Sequence, residues 1–173
     1  MSPDWWQHVR PPFQESASSL LSGVSSTFFV TKSLRPKKPV LNSELRQVIV
    51  EAFAFAVQSK HFYLRAFVVM PDHWHALIGL REPWSLPRFV HAFMSHVGAT
   101  TSAHLTKHHT AWQDGYYETL IKTARQFTYV VLYIEENPVK KGLVSKPAEW
   151  EESSLKRKDL ITDPWPWVFD RES

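Results

Sequence analysis

The chain has no cysteine in 173 residues, which rules out disulfides, a thiolate nucleophile and any zinc–thiolate centre. A metal, if one is held, must be held by histidine, carboxylate or amide oxygen. Nor is there an apolar run near the roughly 20 residues needed to cross a bilayer, so no membrane partner is expected. The start, Met1-Ser2-Pro3-Asp4-Trp5-Trp6, lacks the basic-then-apolar pattern of a signal peptide. These absences fit a reducing, cytoplasmic location. Charge of one sign is also scarce: a formal net charge of +3 permits a polyanionic partner without requiring one. Internal repeats and low-complexity segments are absent as well.

What is present is an ordinary globular composition, 43% hydrophobic and 21% charged, long enough for one core and short for two. Eight Trp, five Tyr and eleven Phe supply rings for a core and for stacking on bases. Residues 1–25 carry Pro, Ser and Trp without period and read as an N-terminal arm. Residues 26–145 read as one domain, and 146–173 as an irregular C-terminal tail.

Within the domain, Ser26 to Thr31 is β-branched and aromatic and predicts a strand. A basic loop with two prolines, Lys32 to Pro39, follows. Asn42 or Ser43 caps a helix to about Ser59, with Leu45, Val48, Ile49, Ala52, Phe53 and Ala56 at helical spacing. His61 to Met70 and His73 to Leu80 are expected as two strands joined by a tight Pro-Asp turn. Ser85 caps a second helix to about Leu105, and Lys107-His108-His109 is a polar loop. Tyr116 to Lys122 is a fourth strand. A third helix runs from Ala124 to Asn137, and Pro138 is expected to stop it. Strand-helix-strand-strand-helix-strand is the order of an α+β, ferredoxin-like four-stranded antiparallel sheet with two helices on one face, here with a third helix added. The opposite face is either partly open or covered by that helix and the chain ends.

Alternation along a strand puts His73 and His75 on one face and Trp74, Ala76 and Ile78 on the other. Two imidazoles about 6–7 Å apart along the strand can converge on one ion, or can be half-buried histidines at a sheet edge; alternation alone does not separate these readings. On the third helix, Phe127, Val130, Val131 and Ile134 make the buried stripe. Gln126, Tyr129, Tyr133 and Asn137 form a neighbouring stripe expected to stay accessible, with Tyr133 and Asn137 on consecutive turns. Taken singly, Tyr133 also reads as an amphipathic boundary residue and Asn137 as a helix end.

Together, Met70-Pro71-Asp72-His73-Trp74-His75 and Tyr133-Ile134-Glu135-Glu136-Asn137-Pro138-Val139-Lys140-Lys141-Gly142-Leu143-Val144 resemble the REP-associated tyrosine transposases. These are relatives of the single-tyrosine insertion-sequence transposases of the HUH endonuclease superfamily. The resemblance runs from about Thr27 to Leu155 and includes Thr27-Phe28-Phe29-Val30-Thr31 and Trp112-Gln113. It departs at Ser95-His96-Val97-Gly98, where the family often has a lysine, and at Glu118-Thr119, where it often has an Asp-His pair. The resemblance implies that His73, His75 and Asn137 bind a metal, Mg²⁺ or Mn²⁺, and that Tyr133 is the nucleophile. The donor set judged on affinity alone favours zinc, nickel or copper.

The implied activity is metal-dependent endonuclease and strand transfer on single-stranded DNA hairpins of the REP-palindrome type, through a 5′-phosphotyrosine, with a nucleoid-associated location in bacteria. The cations expected to track phosphates are Lys32, Arg35, Lys37, Lys38, Lys122, Arg125, Lys140 and Lys141. Two rival readings are a catalytically degenerate single-stranded nucleic-acid-binding module on the same fold and a small hydrolase that uses the histidines alone.

Overall fold

A computed structural model describes residues 26–37, 40–58, 62–81, 83–105 and 112–161, without the side chains of 100–105. The expected N-terminal arm, Lys38, the Lys107-His108-His109 loop and the four terminal tryptophans Trp5, Trp6, Trp165 and Trp167 lie outside the described residues.

Strand β1 (Ser26–Ser33) has the β-branched and aromatic run that favours a pleated, half-buried position. It takes a central place, paired antiparallel to β3 (His73–Leu80) on one side and to β4 (Tyr117–Leu120) on the other. Strand β2 (Phe62–Val69) pairs with β3, so the order is β2-β3-β1-β4. This is the expected four-stranded antiparallel α+β sheet. A bulge between Leu64 and Ala66 shifts the β2 register, so that Leu64 and Phe67 face one side of the sheet while Ala66 and Val68 face the other.

Helices α1 (Ser43–Val57) and α2 (Leu86–Leu105) cover the first face. Asn42 caps α1 by accepting from the Leu45 N–H at 2.9 Å. Phe53 is fully buried at the centre of this layer, with its ring centroid 5.2 Å from Phe67, 5.5 Å from Trp74 and 4.6 Å from Phe93. Burying each such side chain contributes about 1.5–3 kcal/mol.

The second face is covered over β2 and β3 by α3 (Ala124–Lys140). Thr123 and Gln126 form a reciprocal capping box at its start. Val130, Val131 and Ile134 seat it on Phe29, Val68, Met70 and Leu77. Pro138 does not stop this helix, as the sequence had led us to expect. The ring removes one N–H donor and leaves helical φ available to the residues after it, and the helix runs on to Lys140. It ends in a Schellman motif: Gly142, at φ 69°, donates to the Val139 carbonyl, and Leu143 donates to that of Pro138, both at 2.9 Å.

The C-terminal segment is part of the same body as far as Ile161. Val69 N–H bonds to the Glu152 carbonyl and Ser154 N–H to the Phe67 carbonyl, both at 2.9 Å, which closes the β2 edge. The buried Glu152 carboxylate accepts from Ser43 Oγ at 3.1 Å and lies 3.2 Å from Arg46 Nε, and Leu160 joins the first core layer. No described helix is long and apolar enough to cross a membrane.

Candidate active site

The two-residue Pro71-Asp72 turn sets the position of His73. Met70 N–H bonds back to the His73 carbonyl at 2.7 Å, and the chain leaving β1 clamps the turn, with Leu34 N–H on Asp72 O at 2.8 Å and Leu41 N–H on Pro71 O at 2.7 Å. In register, His73 lies opposite Ser33 of β1 and His75 opposite Thr31. Trp74, Ala76 and Ile78 are fully buried under α1 and α2. The histidines therefore face α3 rather than an open sheet, and His75 is buried.

The two Nε2 atoms stand 3.1 Å apart, and each Nδ1 has its own partner: Asp72 Oδ1 at 2.6 Å for His73 and Thr31 Oγ1 at 2.7 Å for His75. The hydrogen bond with His73 holds the Asp72 carboxyl below the usual carboxylate range, so it is ionised and can only accept. His73 Nδ1 must carry the proton, which in the neutral ring leaves Nε2 as a lone pair aimed at His75. Burial, then the proximity of His73 and Lys141, pushes the His75 pKa well below that of an ordinary histidine, so its ring is neutral.

Tyr133 comes down from α3 onto this pair, its ring centroid 5.4 Å from His75 and 5.9 Å from Phe29. Both Tyr133 and Asn137 are buried, not accessible as the helical stripe suggests. The stripe lies only about 100° from the apolar one, and a helix laid flat on a sheet buries both. Burial raises the Tyr133 hydroxyl well above an ordinary tyrosine, and a hydrogen bond from the Asn137 side chain partly offsets this. The other end of that amide, Asn137 Oδ1, is buried without a partner among the described residues.

A divalent cation fits these donors. The Asn137 oxygen is a buried acceptor without a partner among the described residues, and the imidazoles turn their Nε2 atoms toward each other with their Nδ1 atoms tied down, the arrangement that orients ligating histidines. No cluster of three His, Cys, Asp or Glu exists among the described residues; the third ligand here would be the amide. Glu136, about one turn along α3 from Tyr133, is paired with Lys140 at 3.0 Å.

The basic residues divide. Lys32 is buried, and its ammonium donates to the Gln113 and Gly115 carbonyls at 2.5 and 2.6 Å. Arg35 forks onto Asp114 at 2.9 Å and donates to Trp112 O at 3.0 Å. Both therefore staple the 112–115 loop to the end of β1, Lys32 from a buried position and Arg35 from a half-exposed one. Lys37, Lys122, Arg125, Lys140 and Lys141 are exposed, and Lys140 Nζ lies 5.4 Å from the Tyr133 ring centroid. A polar pocket of about 200 Å³ lined by Thr31, Ser33, Asp114 and Tyr117 adjoins the histidine row. An apolar cavity of about 360 Å³ between α1 and α2 is lined by none of the candidate residues.

Two contributors went unread in the sequence. Asp72 sits within the Met-Pro-Asp-His run and was read only as a turn residue. Thr31 was read only as a β-former, and its role needs the register to be known.

An antiparallel sheet carrying a histidine pair beneath a tyrosine-bearing helix defines a class, and the sequence comparison supplies it. Residues 28–137 match the family described as IS200-like transposases, and the chain belongs to that family. A relative in Escherichia coli (strain K12), the REP-associated tyrosine transposase, is 28% identical over 148 residues, covering 83% of this chain and 86% of the relative. A solved structure of a REP-associated tyrosine transposase bound to a REP hairpin superposes with a TM-score of 0.67 at 25% identity, over 93% of this chain and 94% of that one. A putative transposase from Deinococcus radiodurans shares the fold, with a TM-score of 0.50 at 16% identity over 72% of this chain and 97% of that one.

Proposed function

We propose that the protein is a metal-dependent endonuclease and strand-transferase acting on single-stranded DNA hairpins of the REP type, with Tyr133 as nucleophile. The observation that carries this reading is Tyr133 against His75, hydrogen-bonded to an asparagine whose remaining oxygen has no partner among the described residues. The similar transposase structure bound to a REP hairpin supports the choice of substrate.

His73, His75 and Asn137 would hold Mg²⁺ or Mn²⁺, which when bound supplies positive charge to polarise a phosphate and to ease loss of the tyrosine proton. A free tyrosine is ionised in only about one molecule per thousand at pH 7, and burial makes Tyr133 poorer still, so the site needs such a charge. Asn137 directs its N–H at the hydroxyl and stabilises the phenolate. In the reaction, Tyr133 Oη forms a bond to phosphorus and the bond from phosphorus to O3′ breaks. The proton lost by tyrosine is matched by the one taken up at the 3′ oxygen. A 5′-phosphotyrosine and a free 3′-hydroxyl result, and a second 3′-hydroxyl can reverse the step on another strand. Lys140 and Lys141 at the mouth, with Lys37, Lys122 and Arg125 farther out, meet the phosphates.

The test is to incubate labelled hairpin oligonucleotides with the protein and Mn²⁺ and look for a covalent adduct by denaturing gel and mass spectrometry. Wild type should form an adduct on Tyr133, and Tyr133→Phe should lose it by at least ~10³-fold (about 4 kcal/mol of barrier) while still binding the hairpin. Tight binding with no adduct under any divalent ion would favour the non-enzymatic module. An adduct that persists in Tyr133→Phe would sink the assignment.

A further inference from the structure

We propose that the polar pocket beside the histidine row is a nucleobase subsite: the base of a nucleotide adjoining the scissile phosphate stacks on Tyr117 and turns its edge toward Ser33, Gln113 and Asp114. The inference rests on the strand-cleaving reading above and adds where a flanking base goes. Thr31 of β1 is paired with His75 of β3 on one side and with Tyr117 of β4 on the other, and directly opposed residues of antiparallel strands share a face. His75, Thr31 and Tyr117 thus form one row across three strands. At about 4.5–5.5 Å per step, Tyr117 stands about 10 Å from His75 along that row.

The row runs from covered sheet to open sheet. Helix α3 lies over β2 and β3, and there Tyr133 closes on His75. Past β1 the same face ends in Tyr117, a half-exposed residue, and in the pocket of about 200 Å³ that it lines together with Ser33, Gln113 and Asp114. A strand whose phosphate lies between Tyr133 and the histidines therefore has room for one flanking base over the β1–β4 edge, still on protein.

The lining suits a base and not a second phosphate. The two cations of this region are engaged in building the wall: Lys32 donates to the Gln113 and Gly115 carbonyls, and Arg35 to the Asp114 carboxylate and the Trp112 carbonyl. These bonds, with Gln113 N–H on the Ser33 carbonyl, fix the 112–115 loop before a ligand arrives. The residues around the pocket supply a carboxylate, hydroxyls, an amide and a phenol ring. The polar groups are hydrogen-bond partners for a base edge, and the ring takes a base face. A carboxylate repels a phosphate. Stacking on tyrosine accepts any base, since each has a π-face, and the polar lining adds selection among them.

The experiment uses the full chain carrying Tyr133→Phe, expected to hold DNA without cleaving it. The probes are REP-type hairpin oligonucleotides with 2-aminopurine at one position at a time along the single-stranded arm, and the scissile phosphate is mapped separately from the wild-type adduct. One position, directly 5′ or 3′ of that phosphate, should lose fluorescence on binding. Adding Tyr117→Leu should abolish that quenching and weaken binding about 10–100-fold, the range for losing one base–aromatic stack. Tyr117→Phe, which keeps the ring, should retain both. Phe55→Ala, which removes an exposed ring on α1 in the other layer, should change neither. The proposal is overturned if no position depends on Tyr117, or if the dependent position lies two or more nucleotides from the phosphate. A wild-type adduct beside that result leaves the strand-cleaving reading intact. Quenching that depends on Tyr117 without any wild-type adduct supports the base pocket and removes the catalytic reading. Should Tyr117→Leu fail to fold, the scan decides, and a base quenched at neither flank overturns the proposal.

Discussion

Trp74 and His75 are consecutive residues of one strand, both buried, and they face opposite layers of the molecule. On the side of Trp74 the packing is aromatic: Phe53 and Phe93 meet the indole edge-on at 5.5 and 5.4 Å, and the indole N–H is the one polar atom of that side chain, buried without a partner among the described residues. On the side of His75 a hydroxyl, an imidazole, a phenol and an amide crowd together, one amide oxygen lacks a partner, and two ring nitrogens face each other. The first layer is arranged to hold the fold. The second keeps polar groups where solvent cannot satisfy them, a cost that natural proteins accept at sites of chemistry.

If the two layers differ in this way, substitution should separate them. Trp74→Ala removes a fully buried indole from a layer that cannot collapse around the gap, and should cost about 3–5 kcal/mol of stability. His75→Leu changes the volume little and removes the opposed nitrogens, so the metal-free chain should stay within about 1.5 kcal/mol of wild type. It should also lose cation binding and adduct formation altogether. Urea unfolding of the three proteins without metal, beside the adduct assay, makes the comparison. A His75→Leu variant as unstable as Trp74→Ala would mean that the second layer is structural too.

A comparable split runs through the basic residues. Lys32 donates to two carbonyls from a buried position, and hydrogen bonds to a charged group are worth about 1.5–3 kcal/mol. Lys32→Met should therefore destabilise the chain by about 2 kcal/mol and leave the salt dependence of DNA binding unchanged. Lys141→Ala should be nearly neutral for stability and lower the slope of log K against log salt by about 0.7, one phosphate contact on a single strand. A Lys32 variant whose salt slope falls instead would return that residue to the DNA surface.

How far this division was visible in the sequence depends on range. The bounds of β3, His73 to Leu80, followed from alternation and a turn, and the helix expected from Ala124 does begin there, held by the Thr123–Gln126 box, because the determining contacts lie within four residues. The pairing of His73 with His75 and of Tyr133 with Asn137 is also local. What escaped was set by distant contacts. Lys32 and Arg35 meet partners some eighty positions away, so a basic loop looked solvated. Tyr133 and Asn137 looked accessible because helical periodicity assigns a stripe without saying how wide a surface the sheet offers. Thr31 could not be distinguished from Thr27 until the register placed it across from His75. Pro138 misled for a different reason: its cost falls on the turn before it, a turn already held on the sheet by Val130, Val131 and Ile134, and it does not forbid the two helical residues that follow.

The smallest effect separating the two faces is one of pH. Around His75 stand Thr31, His73, Tyr133 and, as the nearby cation, Lys141. Burial and the neighbouring positive charges oppose its protonation, so its folded-state pKa lies well below the unfolded value of about 6.5. As pH falls through that unfolded value, the unfolded chain takes up a proton that the folded chain refuses. Stability contributed by this group is thus complete above about pH 6.5 and is lost below it, with a limiting slope of about 1.4 kcal/mol per pH unit. The Asp72 contribution is lost only below the ordinary carboxylate value, since its folded pKa lies lower still, and so it stays outside a series that ends at pH 5. Unfolding midpoints of the metal-free protein measured between pH 7.5 and 5 should fall, and the same series in His75→Leu should be flatter by up to one proton's slope. Trp74 variants, which disturb only the apolar layer, should keep the wild-type slope on a lower baseline. Equal slopes in wild type and His75→Leu would show that the second face does not hold a neutral histidine.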